Sequence, residues 1–470
     1  MDWDERAEAS HYAESLSWAS RFNSTRGPPI ATWVSTFRNN QPSEVVGDNC
    51  GSFNWSCRVK FDDGIQWMVR FAVSGRVMDD DEKISHEAAT MRFVKEKTNI
   101  PVPSIIAWGS GDENPLGLGA FIIMEFIEGE PLDMILRQGP GREEAHTLRL
   151  DIGDEALETI YRQIANILLE LSAHNFPRIG SLSRNTDFSS GINSRPLTLK
   201  MNEIKSHGGV CVGGHVSKTF SSATSYFQHV AEQDMQHLCG QPNSVDDTED
   251  ARRKYLHNKI FTTIVPHFVD SKYDHGPFKL ICDDFRFGNI LVNNAQDLKI
   301  VAVLDWEWAY AAPFQMLYSP PRWLLLKKPF DWDDMDASKY KSLLKMFINV
   351  LEEEQQKRAE SRSMPSMATL MHESMEDGRF WFHELIYSCF KSPESRAWIA
   401  IRKILPSIDE LATAPGTEVE LFVDSKMEQL NQYNVEWAAM KEEIDKKEAD
   451  FQALKERVEE DGCSLESPNH

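Results

Sequence analysis

The spacing of apolar and polar positions changes period several times along the chain, and each change marks an element. Between Val45 and Val73, Ser56-Cys57-Arg58-Val59-Lys60-Phe61 and Ile65-Gln66-Trp67-Met68-Val69-Arg70-Phe71 alternate with period two around Asp62-Asp63-Gly64, which predicts a β-hairpin. Ile84, Ala88, Met91 and Val94 then recur at helical spacing over residues 81–97, and Ile100-Pro101-Val102-Pro103 closes that helix. Strands are predicted at 105–108 and 120–126, the second an unbroken apolar run of the buried kind that Glu128-Gly129-Glu130-Pro131 interrupts. Ile160, Ile164, Ile167, Leu168 and Leu171 place a broad apolar stripe on a helix over 155–174, the mark of a core face. Further helices are expected up to Val269, with a polar break at 241–250, and over 336–362 and 378–405.

The two ends read differently. Residues 1–41 predict a short helix and a connector, an ordered surface extension without a part in chemistry. Near the other end Val423, Leu430, Trp437, Ile444, Phe451 and Val458 fall seven apart, which predicts a long helix with a narrow apolar seam. Lys426 and Lys447 interrupt the seam's second column, so docking back on the protein, as a monomer, fits better than an intermolecular coiled coil.

Charge and composition narrow the function classes. A net charge of −23 over 470 residues repels nucleic-acid phosphates and anionic membranes, and no apolar run approaches the ~20 residues of a membrane span. The seven cysteines are odd in number and follow no disulfide framework, which points to reduced thiols. His207, Cys211, His215 and Cys239 offer donors that zinc selects, but their spacing matches no standard pairing. The first residues are acidic where a secretory signal would be basic. A soluble, cytoplasmic protein without disulfides is the expectation.

The chemistry concentrates between Phe278 and Trp308. Two apolar runs, Ile290 to Val292 and Ile300 to Leu304, flank polar residues 293–297, another hairpin pattern. Antiparallel pairing brings Asp284 and Asn289, before the first strand, to the same end as Asp305, after the second. Such a set of hard oxygen ligands suits Mg²⁺ that keeps waters and shares substrate phosphates. With Asp284 orienting a hydroxyl and Asn289 and Asp305 holding metal, the reaction class is phosphoryl transfer.

The order Asp284-x-x-x-x-Asn289 followed by Leu304-Asp305-Trp306-Glu307 resembles the catalytic and metal-binding segments of the aminoglycoside phosphotransferase and choline kinase branch of the protein-kinase-like fold. Asp-Asp-Phe-Arg-x-Gly-Asn, with Ala311-Ala312-Pro313 and Ser319-Pro320-Pro321-Arg322-Trp323-Leu324-Leu325 downstream, is similar to fungal members. The resemblance implies an α+β, two-lobed fold: a 1–41 extension, a nucleotide-binding β lobe at 42–127, a mainly helical lobe at 128–417 carrying the 278–308 hairpin, and an acidic helix and tail at 418–470. It implies ATP and Mg²⁺ as cofactors, with Asp284 as the catalytic residue. Ser52 would lie in the loop over the phosphates, Arg70 would take the place of the third-strand Lys and pair with Glu87, and backbone groups of Glu125 and Ile127 would meet adenine. Read from its strand alone, Arg70 is equally an outward-facing strand residue, and Glu87 a solvated helix residue.

The acceptor is an unidentified small molecule, because one catalytic centre serves many hydroxyls. Asp331, Trp332, Asp333, Asp334 and Glu384 fall where acceptor-pocket walls are expected, and a solvated helix start explains the Asp cluster as well. The chain departs from the family at Cys282, where His is usual, at Arg70, and in its glycine-poor phosphate loop. These departures support a second reading, a pseudokinase-like protein that binds nucleotide or a partner without catalysis. A third, a hub built on the C-terminal helix, rests on the heptads alone.

Overall fold

In the computed structural model, residues 3–141, 144–183, 192–358, 366–389, 392–411 and 416–460 are described, with side chains to residue 442. The chain opens with two helices, α1 (Glu5–Thr25) and α2 (Pro28–Ser35), and continues into β1 (Ser43–Cys50), β2 (Asn54–Phe61), β3 (Gln66–Ala72), α3 (Asp80–Lys97), β4 (Ile105–Gly109) and β5 (Phe121–Glu125). The strands form one antiparallel sheet in the order β1-β2-β3-β5-β4. The period-two alternation in β2 and β3 gives one apolar face, the apolar run of β5 adds residues to the opposite one, and each face is covered by different partners.

On one face, Ile84, Ala88, Met91 and Val94 of α3 join the main core with Ile122 and Met124. On the other, Trp18, Phe22, Ile30, Trp33 and Val34 of α1 and α2 pack on Cys57, Val59, Phe61, Trp67, Val69 and Phe71. Trp18 also donates its indole N–H to the Leu118 carbonyl at 2.9 Å. The N-terminal residues expected as a surface extension are therefore a packed layer of the small lobe. The polar face of α1 hid this, because only one residue per turn or so points at the sheet.

Helix α1 also reaches the larger lobe. Asp4 caps it by accepting from the Arg6 and Ala7 N–H groups. The Asp4 backbone N–H donates to the His207 carbonyl at 3.0 Å, Glu8 meets the His207 ring at 2.9 Å, and Arg6 pairs with Glu436 and stacks over Tyr433.

The second lobe starts with β6 (Glu130–Pro131) and α4 (Leu132–Leu136), then α5 (Asp154–Ala173), α6 (Leu199–Gly208), α7 (Ala223–Gly240) and α8 (Thr248–Phe268). Four short strands follow, β7 (Lys279–Cys282), β8 (Ile290–Val292), β9 (Ile300–Val303) and β10 (Ala309–Ala312), then α9 (Phe314–Leu317), α10 (Asp334–Lys357), α11 (Met367–Glu376), α12 (Arg379–Tyr387), α13 (Arg396–Ile404) and α14 (Gly416–Glu460). β8 and β9 pair antiparallel as predicted, with β6 on the free edge of β8, while β7 pairs with β10. The single helix expected over 378–405 is two, α12 and α13, and Pro393 in the connection cannot continue a helix. Helix α11 carries no signal strong enough to separate it from its neighbours.

α14 docks on the protein through Val419 and Val423, which pack with Leu238, Val245, Ala251 and Tyr255. Lys426, the residue that interrupts the seam, is buried and donates to the Cys239 and Gln241 carbonyls at 3.2 and 2.6 Å. Ile444, Lys447, Phe451, Leu454 and Val458 lie beyond the residues whose side chains are described. Among the described residues no helix is long and apolar enough to cross a membrane.

Buried histidines, His229 among them, make the fold sensitive to acid. Burial pulls His86 and His383 down to about 3, and His237 and His257 down to about 4. Above the ordinary value of 6.5 these rings are neutral folded and unfolded, and contribute no pH dependence. Below it the unfolded chain takes up protons that the fold refuses, so each ring removes stability at a slope approaching about 1.4 kcal/mol per pH unit. The melting temperature followed by circular dichroism is expected to fall steeply from pH 6 to 5, the proton that buried Asp283 takes up at about 7 offsetting roughly one ring; a level curve down to pH 4 contradicts this assignment.

Candidate active site

The hairpin brings Asp284, Asn289 and Asp305 to one end, because strands as short as β8 and β9 leave their flanking residues side by side. The Leu304 N–H donates to the Asn289 carbonyl at 2.8 Å and locks the two flanks together. Asn289 donates its side-chain N–H₂ to the Asp284 carbonyl at 2.8 Å and to Asp284 Oδ2 at 3.0 Å. Its amide oxygen therefore faces away from Asp284, free to meet a cation. Asp284 Oδ1 accepts from Arg286 Nε at 3.0 Å. Burial raises the Asp284 carboxyl above the ordinary range; Arg286 and Asn289 oppose that, and the charges of Asp305 and Glu307 add to it.

Asp305 follows β9 with a φ of 57°, in the left-handed region that a non-glycine residue enters at a cost of about 1–2 kcal/mol. The surrounding bonds hold it there. Arg70 of β3 forks, one terminal nitrogen on Asp305 and the other on Glu87 of α3. Of the two readings of Arg70, the carboxylate-pairing one is the one observed, and the buried Glu87 is not a solvated helix residue. Arginine suits this place because its planar head serves two carboxylates at once. Beneath Asp305, Cys282 donates its thiol to the Asp305 carbonyl at 3.4 Å. Burial raises the thiol well above its ordinary value, so it stays a neutral S–H donor, a supporting contact at the position where the family usually has His.

Among the described residues no three or more His, Cys, Asp or Glu side chains are grouped to enclose a metal by themselves. The Asn289 amide oxygen with the Asp305 carboxylate is instead a two-ligand set, which suits an ion that keeps water and phosphate oxygens. The donor set fits Mg²⁺ in that sense.

The remaining predicted residues lie around this centre. Ser52 is in the turn between β1 and β2, and this turn is closed by the Gly51 N–H on the Asn54 carbonyl at 2.8 Å and braced by Arg76, which donates to the Gly51 carbonyl at 2.9 Å. Glu125 ends β5 with its N–H on the Ser104 carbonyl and its carboxylate on the Ser104 N–H at 2.9 Å. Ile127 follows in the strand-free stretch 126–129. A cleft of about 1830 Å³ runs past Ser52, Asp284 and Arg286 to Arg322 and Tyr387. Of the wall residues considered from sequence, Asp331 lines it. Trp332 is buried on Tyr340, Asp333 caps α10, Asp334 pairs with Arg396, and Glu384 is held by Arg322 at 2.5 Å. His207, weighed as a zinc ligand, meets Glu8, and His215 meets Ser217.

Three residues of this centre had no assigned part. Lys83 of α3 is fully buried, 2.5 Å from Glu307, and donates to the Asn54 amide oxygen at 2.7 Å; Asn54 in turn donates to Glu307 at 2.8 Å. Two signals were legible: Lys83 stands one turn before Glu87, on the inward face, and Glu307 is a lone charge between Trp306 and Trp308.

The sequence pattern of the phosphotransferase enzyme family, APH, matches residues 54–316, more than half of the chain. The chain belongs to this family, and its fold is the α+β, two-lobed, kinase-like one. Among curated relatives, a subtelomeric hrmA-associated cluster protein of Aspergillus fumigatus is 31% identical over 101 residues, 22% of this chain and 17% of the relative. A Debaryomyces hansenii protein named altered inheritance of mitochondria protein 9, mitochondrial, is 33% identical over 108 residues, 23% of this chain and 16% of the relative. The matches thus span about a sixth of the length of these relatives. Among solved structures, a candidate aminoglycoside phosphotransferase of Ralstonia eutropha is 15% identical at a TM-score of 0.43, covering 86% of this chain and 99% of that one. A macrolide 2′-phosphotransferase of Brachybacterium faecium is 13% identical at 0.37, covering 78% and 98%.

Arg70 separates two carboxylates, so its removal leaves like charges facing each other in a site largely closed to water. Arg70→Met is expected to lower the unfolding free energy in urea titrations by about 3–5 kcal/mol, as the loss of one partner of a buried pair does. Arg70→Lys, which keeps one charge but serves one carboxylate at a time, is expected to lose less than half of that.

Proposed function

We propose that the protein is an ATP- and Mg²⁺-dependent phosphotransferase that moves the γ-phosphoryl group to a hydroxyl of a small-molecule acceptor. The observation that carries this reading is the bonded set at the hairpin end, with Asn289 oriented by Asp284 and Asp305 held by Arg70. Asn289 and Asp305 would hold Mg²⁺, which when bound neutralises charge on the phosphate oxygens.

Asp284 orients the acceptor hydroxyl and takes its proton at a carboxylate oxygen. Both of its oxygens already accept one bond, which fixes the plane of the carboxylate and leaves lone pairs for the incoming hydroxyl. The acceptor oxygen forms a bond to phosphorus as the bond from phosphorus to the ADP oxygen breaks, and the proton stays with Asp284 until it passes to solvent. Arg70 turns a terminal nitrogen to the phosphates, as the third-strand cation does in kinases, while Glu87 holds its other side. Backbone groups of Glu125 and Ile127 take the adenine, and Ser52 lies over the phosphates.

Cys282 and Arg70, the departures that favoured a non-catalytic relative, both have bonding partners at the site that suit catalysis. The cleft walls leave the acceptor's identity open to a hydroxyl screen. The odd number and scattered spacing of the cysteines support a reducing compartment, the cytoplasm in this reading.

A thermal-shift titration with ATP, with and without Mg²⁺, tests the proposal. Native-state binding stabilises by about 2.7 kcal/mol when ATP is a hundredfold above its dissociation constant. The expected result is a Mg²⁺-dependent rise in melting temperature that Asp305→Ala abolishes and Asp284→Asn keeps, with phosphoryl transfer lost in both variants by several powers of ten. No rise at millimolar ATP overturns the reading.

A further inference from the structure

We infer that Lys83, Asn54 and Glu307 form a buried strut that sets the loop over the phosphates in register with the metal-binding residue, and that Lys83 is a positioning residue for nucleotide binding. The inference rests on the phosphotransferase reading for its second part only. The three side chains come from three segments: Asn54 is the first residue of β2, Lys83 lies in α3, and Glu307 is two residues past Asp305. None is more than 8% exposed, and Lys83 is wholly enclosed. Each touches both of the others, at 2.5, 2.7 and 2.8 Å.

A structural ion pair needs two partners; this one has a third, placed where the loop ends and β2 begins. The Asn54 carbonyl accepts the Gly51 N–H that closes the turn, and the Phe53 carbonyl accepts the Val73 N–H at 2.9 Å. The Asn54 side chain therefore anchors residues 51–53 from below, and its amide is fixed at both ends, oxygen to Lys83 and nitrogen to Glu307.

The electrostatics join the strut to the site. Glu307 stands two residues past Asp305, so the Lys83–Glu307 pair and the Arg70–Asp305 pair meet in one short turn. A charge at the phosphates is coupled to the loop through groups that water does not screen. Because the pair is fully buried, replacing both members by apolar side chains of similar volume can leave the fold intact, whereas removing one strands a charge.

The test is the double variant Lys83→Met/Glu307→Leu, with Asn54→Ala as a second variant that keeps the ion pair and cuts only the link to the loop. Two readouts are taken on folded protein: hydrogen exchange of residues 49–54, and affinity for MgATP compared with adenosine, which lacks phosphates. The expected result in either variant is at least tenfold faster exchange in that segment and at least a tenfold weaker MgATP affinity, with adenosine affinity changed less than twofold. If the double variant fails to fold, Asn54→Ala decides alone. Unchanged exchange in a folded variant overturns the strut, and faster exchange with unchanged MgATP affinity overturns the positioning role. If the parent protein binds no MgATP, the phosphotransferase reading and the positioning role both fall, while loop exchange still decides for or against the strut.

Discussion

Everything at the centre of this protein depends on balancing carboxylates crowded together at buried and half-buried positions. Asp284, Asp305, Glu307 and Glu87 converge from three segments, held by Arg70 on Asp305 and Glu87, Lys83 on Glu307 and Arg286 on Asp284. Close like charges of this kind are unfavourable unless countered, and Arg70 and Lys83 come from the small lobe while three of the acids come from the 278–308 segment of the large one. The lobes are thus joined electrostatically at the point where the chemistry is proposed. Hydrophobic packing crosses the same boundary, with Ile84 and Ala88 of α3 in one core with Val303 and Trp306, and the paired charges add directed contacts to it.

Much of this arrangement was legible in the sequence. Period-two runs marked β2 and β3, the 3.6-residue repeat marked α3 and α5, and the hairpin at 290–304 declared itself by two apolar runs around a polar turn. The triad of Asp284, Asn289 and Asp305 could be read because antiparallel pairing alone places its members together. Less legible were features whose cause is tertiary. Lys83 stands among acidic and polar neighbours, Asp80-Asp81-Glu82 and Ser85-His86-Glu87, and its partner Glu307, more than two hundred residues away, is identified only by the fold. The packing of α1 rests on Trp18 and Phe22, too few apolar residues to show a period. The break between α12 and α13 lay at Pro393, a signal present but outweighed by the apolar residues around it.

The departures from the family take on a physical meaning once seen in place. A histidine before the catalytic Asp is a rigid, polar support; Cys282 offers the Asp305 carbonyl a weaker donor and more apolar surface. The third-strand lysine is a point charge, whereas Arg70 spreads its charge over a fork that two acids share. The first change replaces a rigid support by a softer neutral donor, and the second replaces a point charge by a fork fixed on two acids.

Helix α1 carries a consequence for motion. It is bonded at one end to the large lobe, through Asp4, Glu8 and Arg6, and at the other is buried in the outer face of the small lobe's sheet through Trp18 and Phe22. A helix is stiff along its axis, so it acts as a spacer of fixed length between the two bodies. Separation along that axis would have to break one of these attachments. Rotation about the axis leaves them intact and is opposed instead by the pairs that cross between the lobes elsewhere, Arg195 with Glu82 and Lys83 with Glu307.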